Sequence, residues 1–277
     1  MEERMRINNK KIILVVSVFL MMFVLVNVSF AADRHAPIDT VSENGMVAAA
    51  HPLAAQAGVD ILKQGGNAID AAVATAFALN AVEPNASGLG GGGFMLIRFA
   101  KTGEIVVIDY REHAPATATK DMFASDKSKE EGWSKLGGKA VAVPGTLIGL
   151  KTALDGYGTM TLAEVTAPAI AHMENGFAIT ETFSNMVKNN FDKLNDWNDP
   201  SKIAYLKDGL ALEGGDILVQ SDLAKTYHEI LDNGIGYLYG GELGQKIVDA
   251  VQAQGGGLSL QDLKDYKPYI RKPVVGN

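Results

Sequence analysis

The chain has 277 residues, 47% of them hydrophobic, enough for one large domain or two small ones with a real core. There is no cysteine, which excludes disulfides, thiolate catalysis and Cys-ligated metals, and the five histidines show neither H-x₃-H nor H-E-x-x-H spacing. Beyond residue 31 there are 21 basic and 30 acidic side chains, a net −9 that speaks against nucleic acid or an anionic membrane surface as partner.

Residues 1–31 read as an export signal. Arg4, Arg6, Lys10 and Lys11 form a basic start, residues 12–26 are apolar but for Ser17, and Ser29 and Ala31 supply small residues at the −3 and −1 positions of a cleavage site. The competing reading is a retained membrane anchor, because the apolar character runs on to Ala32 and reaches a marginal spanning length. The expected location is periplasmic or secreted, with membrane anchoring as the alternative. Residues 32–44 are a polar leader, and the folded body is expected over 45–277.

Residues 45–50 are a short apolar strand candidate. Pro52 suits a helix's first turn, Leu53, Ala57, Ile61 and Leu62 make a helical stripe, and Gly65-Gly66 stops it. His51, at that junction, reads as a helix cap or a packed histidine rather than a base. Asn67 is a predicted N-cap with Asp70 three residues on, opening a helix over 68–82 that is apolar all round and so buried between layers.

The most informative stretch follows. Gly88, Gly90, Gly91, Gly92 and Gly93 call for positive φ or very close approach by another segment. Two apolar runs, 94–99 and 105–110, flank a Gly-containing loop and predict a hairpin; their lack of alternation predicts that both faces are covered. The glycines fit G-x-G-x-x-G, but a helix precedes and a strand follows, the reverse of the nucleotide-binding order, and no G-K-[ST] follows. The second strand exits into Arg111-Glu112-His113, which places a cation beside the glycine loop. A guanidinium there offers a bidentate fork for a carboxylate; the competing reading is a half-exposed ion pair with Glu112 or Asp109. His113 is tied to no serine or acid by motif and reads as structural.

Residues 124–139 are polar and read as a surface insertion, and 140–145 as a buried strand and turn. Helices are expected over 146–154, from the capping box Thr161/Glu164 through His172, from Ser221 to Asp232, over 244–254, and from Ser259 onward; 188–209 reads as irregular and 273–275 as strand-like. His172 and His228 lie on helices without ligand spacing. The pattern is layered α/β. No G-x-S-x-G elbow or suitable S-x-x-K is present, so no catalytic residue is identified, and no metal or other cofactor is implied.

GGNAIDAAVA (65–74), GLGGGGFML (88–96) and DYREHAP (109–115), occurring in this order, resemble the N-terminal part of the γ-glutamyltranspeptidase large subunit, and the similarity runs over about residues 45–275. The resemblance implies an N-terminal nucleophile (Ntn) hydrolase αββα four-layer sandwich, only partly represented in this chain. It implies a precursor cut into a large and a small subunit, in which a threonine at the small subunit's new N-terminus attacks the γ-glutamyl carbonyl with its own α-amine as base. The γ-glutamyl group of glutathione and related compounds then passes to an amino acid, a peptide or water. Arg111, of the family's F/Y-R-E motif, would hold the substrate's α-carboxylate, and Glu112 would orient Arg111. The family's Thr-Thr-His-x-Ser-type processing site and its serine-glycine oxyanion segment do not occur in these residues. The expected partners are therefore γ-glutamyl compounds together with the C-terminal large-subunit segment and the small subunit of the same precursor. The alternatives are a poly-γ-glutamate depolymerase or an acylase of the same fold, or a non-catalytic secreted binding protein.

Overall fold

The computed structural model describes residues 41–196 and 203–276. The export signal, most of the leader and six residues of the irregular 188–209 stretch lie outside the described residues. The chain divides into two units, Met1–Asn44 and Gly45–Asn277, and the fold below is that of the second.

Local signals place most of the helices. Helix α1, Pro52–Lys63, starts on His51, whose Nδ1 accepts the Leu53 N–H at 3.2 Å. Burial lowers the pKa of His51, with Glu83 opposing, so the ring is the neutral form that such a cap needs. Helix α2, Ala68–Val82, opens with a full capping box: Asn67 Oδ1 accepts from Ile69 and Asp70, and Asp70 returns an oxygen to the Asn67 N–H at 2.7 Å. As its composition predicts, α2 is buried on nearly every side, Phe77, Val73 and Ala74 being fully enclosed.

Asp70 does more than cap. It is fully buried and also accepts from the Thr159 N–H (2.9 Å), the Thr159 hydroxyl (2.7 Å) and the Met160 N–H (3.1 Å). It thereby ties the start of α2 to the turn between α4 and α5.

Short α3 (Asp126–Glu130) sits in the expected surface insertion. Helix α4 (Thr146–Tyr157) and helix α5 (Leu162–Asn175), the latter with the expected Thr161/Glu164 box, both contact α2. Two small helices follow, α6 (Glu181–Asn189) and α7 (Phe191–Asn195), the second inside the stretch expected to be irregular. Helix α8 (Ser221–Asn233) packs on α5; Ser221 is its first residue, and Gln220 takes the capping position without a side-chain bond. Helices α9 (Glu242–Ala253) and α10 (Leu260–Asp265) follow, α10 opening on a Ser259/Asp262 box.

The main sheet has three antiparallel strands in the order β1-β2-β7: β1 is Phe94–Arg98, β2 is Ile105–Asp109 and β7 is Tyr269–Arg271. Two small pairs complete the set, β3 (Phe177–Ala178) with β6 (Ile217–Leu218), and β4 (Leu206–Lys207) with β5 (Leu210–Ala211). Residues 45–50 and 273–275 form no strand, and 140–145 supply only the single bridge His113–Val143.

The hairpin register puts Met95, Ile97, Val106 and Ile108 on one face and Phe94, Leu96, Val107, Asp109 and Tyr269 on the other. Ile97 and Ile108 are buried in the core shared with the helices, whereas Phe94 and Leu96 are 62% and 63% exposed. The expectation that both faces are covered therefore fails within this chain. One helical layer covers one face, and the opposite face stands open.

Candidate functional site

The glycine loop is shaped by close approach. None of its glycines has positive φ, so of the two expected causes it is close approach that holds. A Cβ on Gly92 would lie 2.5 Å from the Tyr110 carbonyl oxygen and 2.9 Å from both the N and the Oε2 of Glu112. Gly93 exchanges backbone bonds with Tyr110, extending the β1–β2 ladder by one pair. The Gly91 carbonyl accepts both the Gly145 and the Thr146 N–H, at 2.8 and 2.9 Å, so the first turn of α4 docks on the loop. By contrast, a Cβ on Gly88 or Gly90 would meet nothing within 4 Å.

Arg111 leaves β2 at this junction. Its N–H donates to Asp109 Oδ1 at 3.1 Å and its carbonyl accepts the Tyr266 hydroxyl at 2.7 Å. Its guanidinium is more than half exposed, with Nη1 at 3.3 Å from Glu112 Oε2, an oxygen that is buried and accepts no hydrogen bond. Of the two ion pairs considered from sequence, the one with Glu112 forms. Asp109 pairs with Arg271 Nε instead, at 2.7 Å. Burial works to raise the Asp109 pKa, but the Arg111 N–H and Arg271 outweigh it and hold the carboxyl below its ordinary range. Burial pushes Tyr266 up to about 12, with Asp109 and Glu112 adding to it, so its hydroxyl keeps its proton and donates.

Together these elements frame an open concavity of about 390 Å³, lined by Pro84, Ser87, the glycine loop, Arg111, Glu112 and Thr146. Ser87 is anchored from behind, its hydroxyl donating to Asn80 Oδ1, while Asn80 Nδ2 donates to the buried Tyr227 hydroxyl. Ser87 and Thr146 carry no local signature of a site. The arrangement can hold an anion on a fixed cation beside a backbone wall. Among the described residues no group of three His, Cys, Asp or Glu could hold a metal. His51 caps a helix, His113 lies against Tyr266 with ring centroids 4.6 Å apart and planes tilted by 43°, and His228 pairs with Glu174 at 2.8 Å.

The family profile described as Gamma-glutamyltranspeptidase matches residues 54–277. The chain belongs to the γ-glutamyltranspeptidase family. A glutathione hydrolase proenzyme of Bacillus subtilis (strain 168) is 43% identical over 247 residues, covering 88% of this chain and 42% of that protein. An acylase ACY 1 proenzyme of Pseudomonas sp. (strain V22) is 43% identical over 241 residues, covering 84% and 43% respectively. The crystal structure of Helicobacter pylori γ-glutamyltranspeptidase superposes with a TM-score of 0.80 at 39% identity, covering 86% of this chain and 68% of that one. The chain thus spans less than half the length of the curated relatives it matches. Its fold is that of the Ntn-hydrolase γ-glutamyltranspeptidases.

Proposed function

We propose that this chain carries the donor-carboxylate site of an exported γ-glutamyltranspeptidase. In the whole enzyme, the γ-glutamyl bond of glutathione and related compounds is broken and the γ-glutamyl group passes to an amino acid, a peptide or water. The threonine nucleophile, its amine base and the oxyanion donors come from segments outside these residues, namely the rest of the large subunit and the small subunit of the same precursor. The single observation that carries this reading is Arg111: a rigid fork at a strand exit, beside a backbone-walled concavity, in a chain of this family. A carboxylate reaching it would meet two parallel N–H donors, a geometry lysine cannot reproduce. Covering Phe94 and Leu96, 62% and 63% exposed, by a second layer would contribute about 1–2 kcal/mol each, which supports completion of the fold by another segment.

In the complete enzyme, Arg111→Lys and Arg111→Ala should raise KM for γ-glutamyl donors by about tenfold or more, about 1.4 kcal/mol or above, with kcat affected less. A donor lacking the α-carboxylate should be poor for the parent and hardly worse for Arg111→Ala. Equal penalties on the two donors would exclude the assignment. The acylase relative, equal in identity to the glutathione hydrolase, motivates a second reading in which the donor has no α-amino acid head. Faster turnover of such a donor by the parent enzyme would favour it.

For the N-terminus, we expect sequencing of the exported protein to begin after Ala31, where the small residues end the apolar run. A mature protein still starting at Met1 would establish the anchor.

A further inference from the structure

We propose that Tyr266 and Asp109 are positioning residues for Arg111, acting as a brace that fixes where its guanidinium fork originates. This rests on the reading of Arg111 as the carboxylate-binding group. Arg111 lies just past β2, where the sheet ladder no longer holds the backbone. Its two backbone groups are satisfied by side chains instead, the N–H by Asp109 Oδ1 at 3.1 Å and the carbonyl by the Tyr266 hydroxyl at 2.7 Å.

Both partners are themselves fixed. Asp109 is 8% exposed and takes Arg271 Nε at 2.7 Å, while the Arg271 guanidinium lies 4.9 Å over the Tyr269 ring. Tyr266 is 3% exposed and packs against the rings of His113 and Tyr239, at centroid distances of 4.6 and 6.1 Å. Its proton is retained at neutral pH, so the bond to the Arg111 carbonyl has a defined donor. An arginine side chain has many rotamers, and a displacement of its backbone origin moves the fork off a bound carboxylate. The brace removes that freedom from both sides of the peptide. The rival account is that these residues only staple β7 to β2. Against it, the tyrosine bond goes to the Arg111 carbonyl itself, two residues beyond the β2–β7 ladder.

The two accounts separate in the complete enzyme. Tyr266→Phe keeps the stacked ring and deletes one hydrogen bond. It should raise KM for a carboxylate-bearing donor about 2- to 12-fold and leave a donor without the α-carboxylate unchanged. In an Arg111→Ala background the same substitution should add nothing, because its route to substrate is gone. A KM increase shared equally by both donors, or a full further loss on top of Arg111→Ala, would overturn the brace. If Arg111→Ala penalises the two donors equally, the site reading falls and the brace with it. Discrimination lost in Arg111→Ala but intact in Tyr266→Phe sinks the brace alone. Should Tyr266→Phe not accumulate, Arg271→Gln, at a half-exposed side chain, carries the test through Asp109. The same donor-selective KM increase supports the brace, and equal effects on both donors reject it.

Discussion

Gly145→Ala should destabilise the folded chain by about 3 kcal/mol or more, at or above the upper end of the usual cost of overpacking. The added methyl would sit 2.1 Å from the Tyr110 carbonyl oxygen, 2.2 Å from the Tyr266 hydroxyl and 2.8 Å from its Cζ. The first of these atoms is backbone and the tyrosine is enclosed, so neither can swing aside. Replacing glycine lowers unfolded-chain entropy, worth about 0.4–1 kcal/mol in favour of the variant, and Gly145 has a φ of −116° that alanine accepts. Sterics win by a wide margin. For a domain of this size the melting temperature should fall by roughly 6–12 °C. Gly90→Ala, with nothing within 4 Å of its new methyl, is the control and should stay within about 0.5 kcal/mol of the parent. Equal urea midpoints for the two variants would show that the loop, the strand end and α4 do not meet as described.

Asp70→Ala is expected to cost about 3–5 kcal/mol. The carboxylate is fully buried and serves donors from Asn67, Thr159 and Met160; hydrogen bonds to a charged group contribute about 1.5–3 kcal/mol each, though not additively. The variant strands those donors with no oxygen to receive them. Asp70 also contributes to acid sensitivity. Burial works to raise its pKa, but the Thr159 hydroxyl and the three backbone N–H groups outweigh it, and the folded value falls below the ordinary 3.8. A depressed carboxyl contributes stability that is complete above its unfolded value and is lost as pH falls through the folded one. The parent should therefore lose stability below about pH 3.8 more steeply than Asp70→Asn, whose stability is lower throughout but flatter in that range. Parallel curves of urea midpoint against pH would rule out this role.

What could be read from the residues was what is decided locally. The helix starts at Asn67, Thr161 and Ser259 are each decided within four residues; all three form where expected, and each carries a capping box. The hairpin and the placement of Arg111 at its exit follow from two apolar runs and a turn. Misreadings arose where a distant segment decides. Residues 45–50 are apolar but find no partner, while the strand beside β2 is Tyr269–Arg271 rather than 273–275, because pairing with Val107, Ile108 and Asp109 selects it. Unbroken apolar character in β1 and β2 suggested two covered faces; hydrophobicity records that a surface is to be covered, not which chain covers it. Tyr266 and Arg271 were unreadable as supports for Arg111, since nothing local in the sequence marks them as neighbours of a residue so far away.

That separation sets a clock. Asp109 and its partner Arg271 are 162 positions apart, and Arg111 and Tyr266 are 155 apart. At about 5–20 residues per second of synthesis, roughly 8–30 seconds pass between the appearance of the arginine's strand and that of its second neighbour. Through that interval β2 has only β1 beside it, and a lone two-stranded hairpin is marginal in water. Its other edge, destined for β7, is an unpaired row of N–H and C=O groups that any extended segment can occupy. Long loop closure of this kind slows folding without lowering the final stability much. The surroundings of Arg111 therefore cannot be complete until residue 271 has been made, and until then β2 offers a vacant edge.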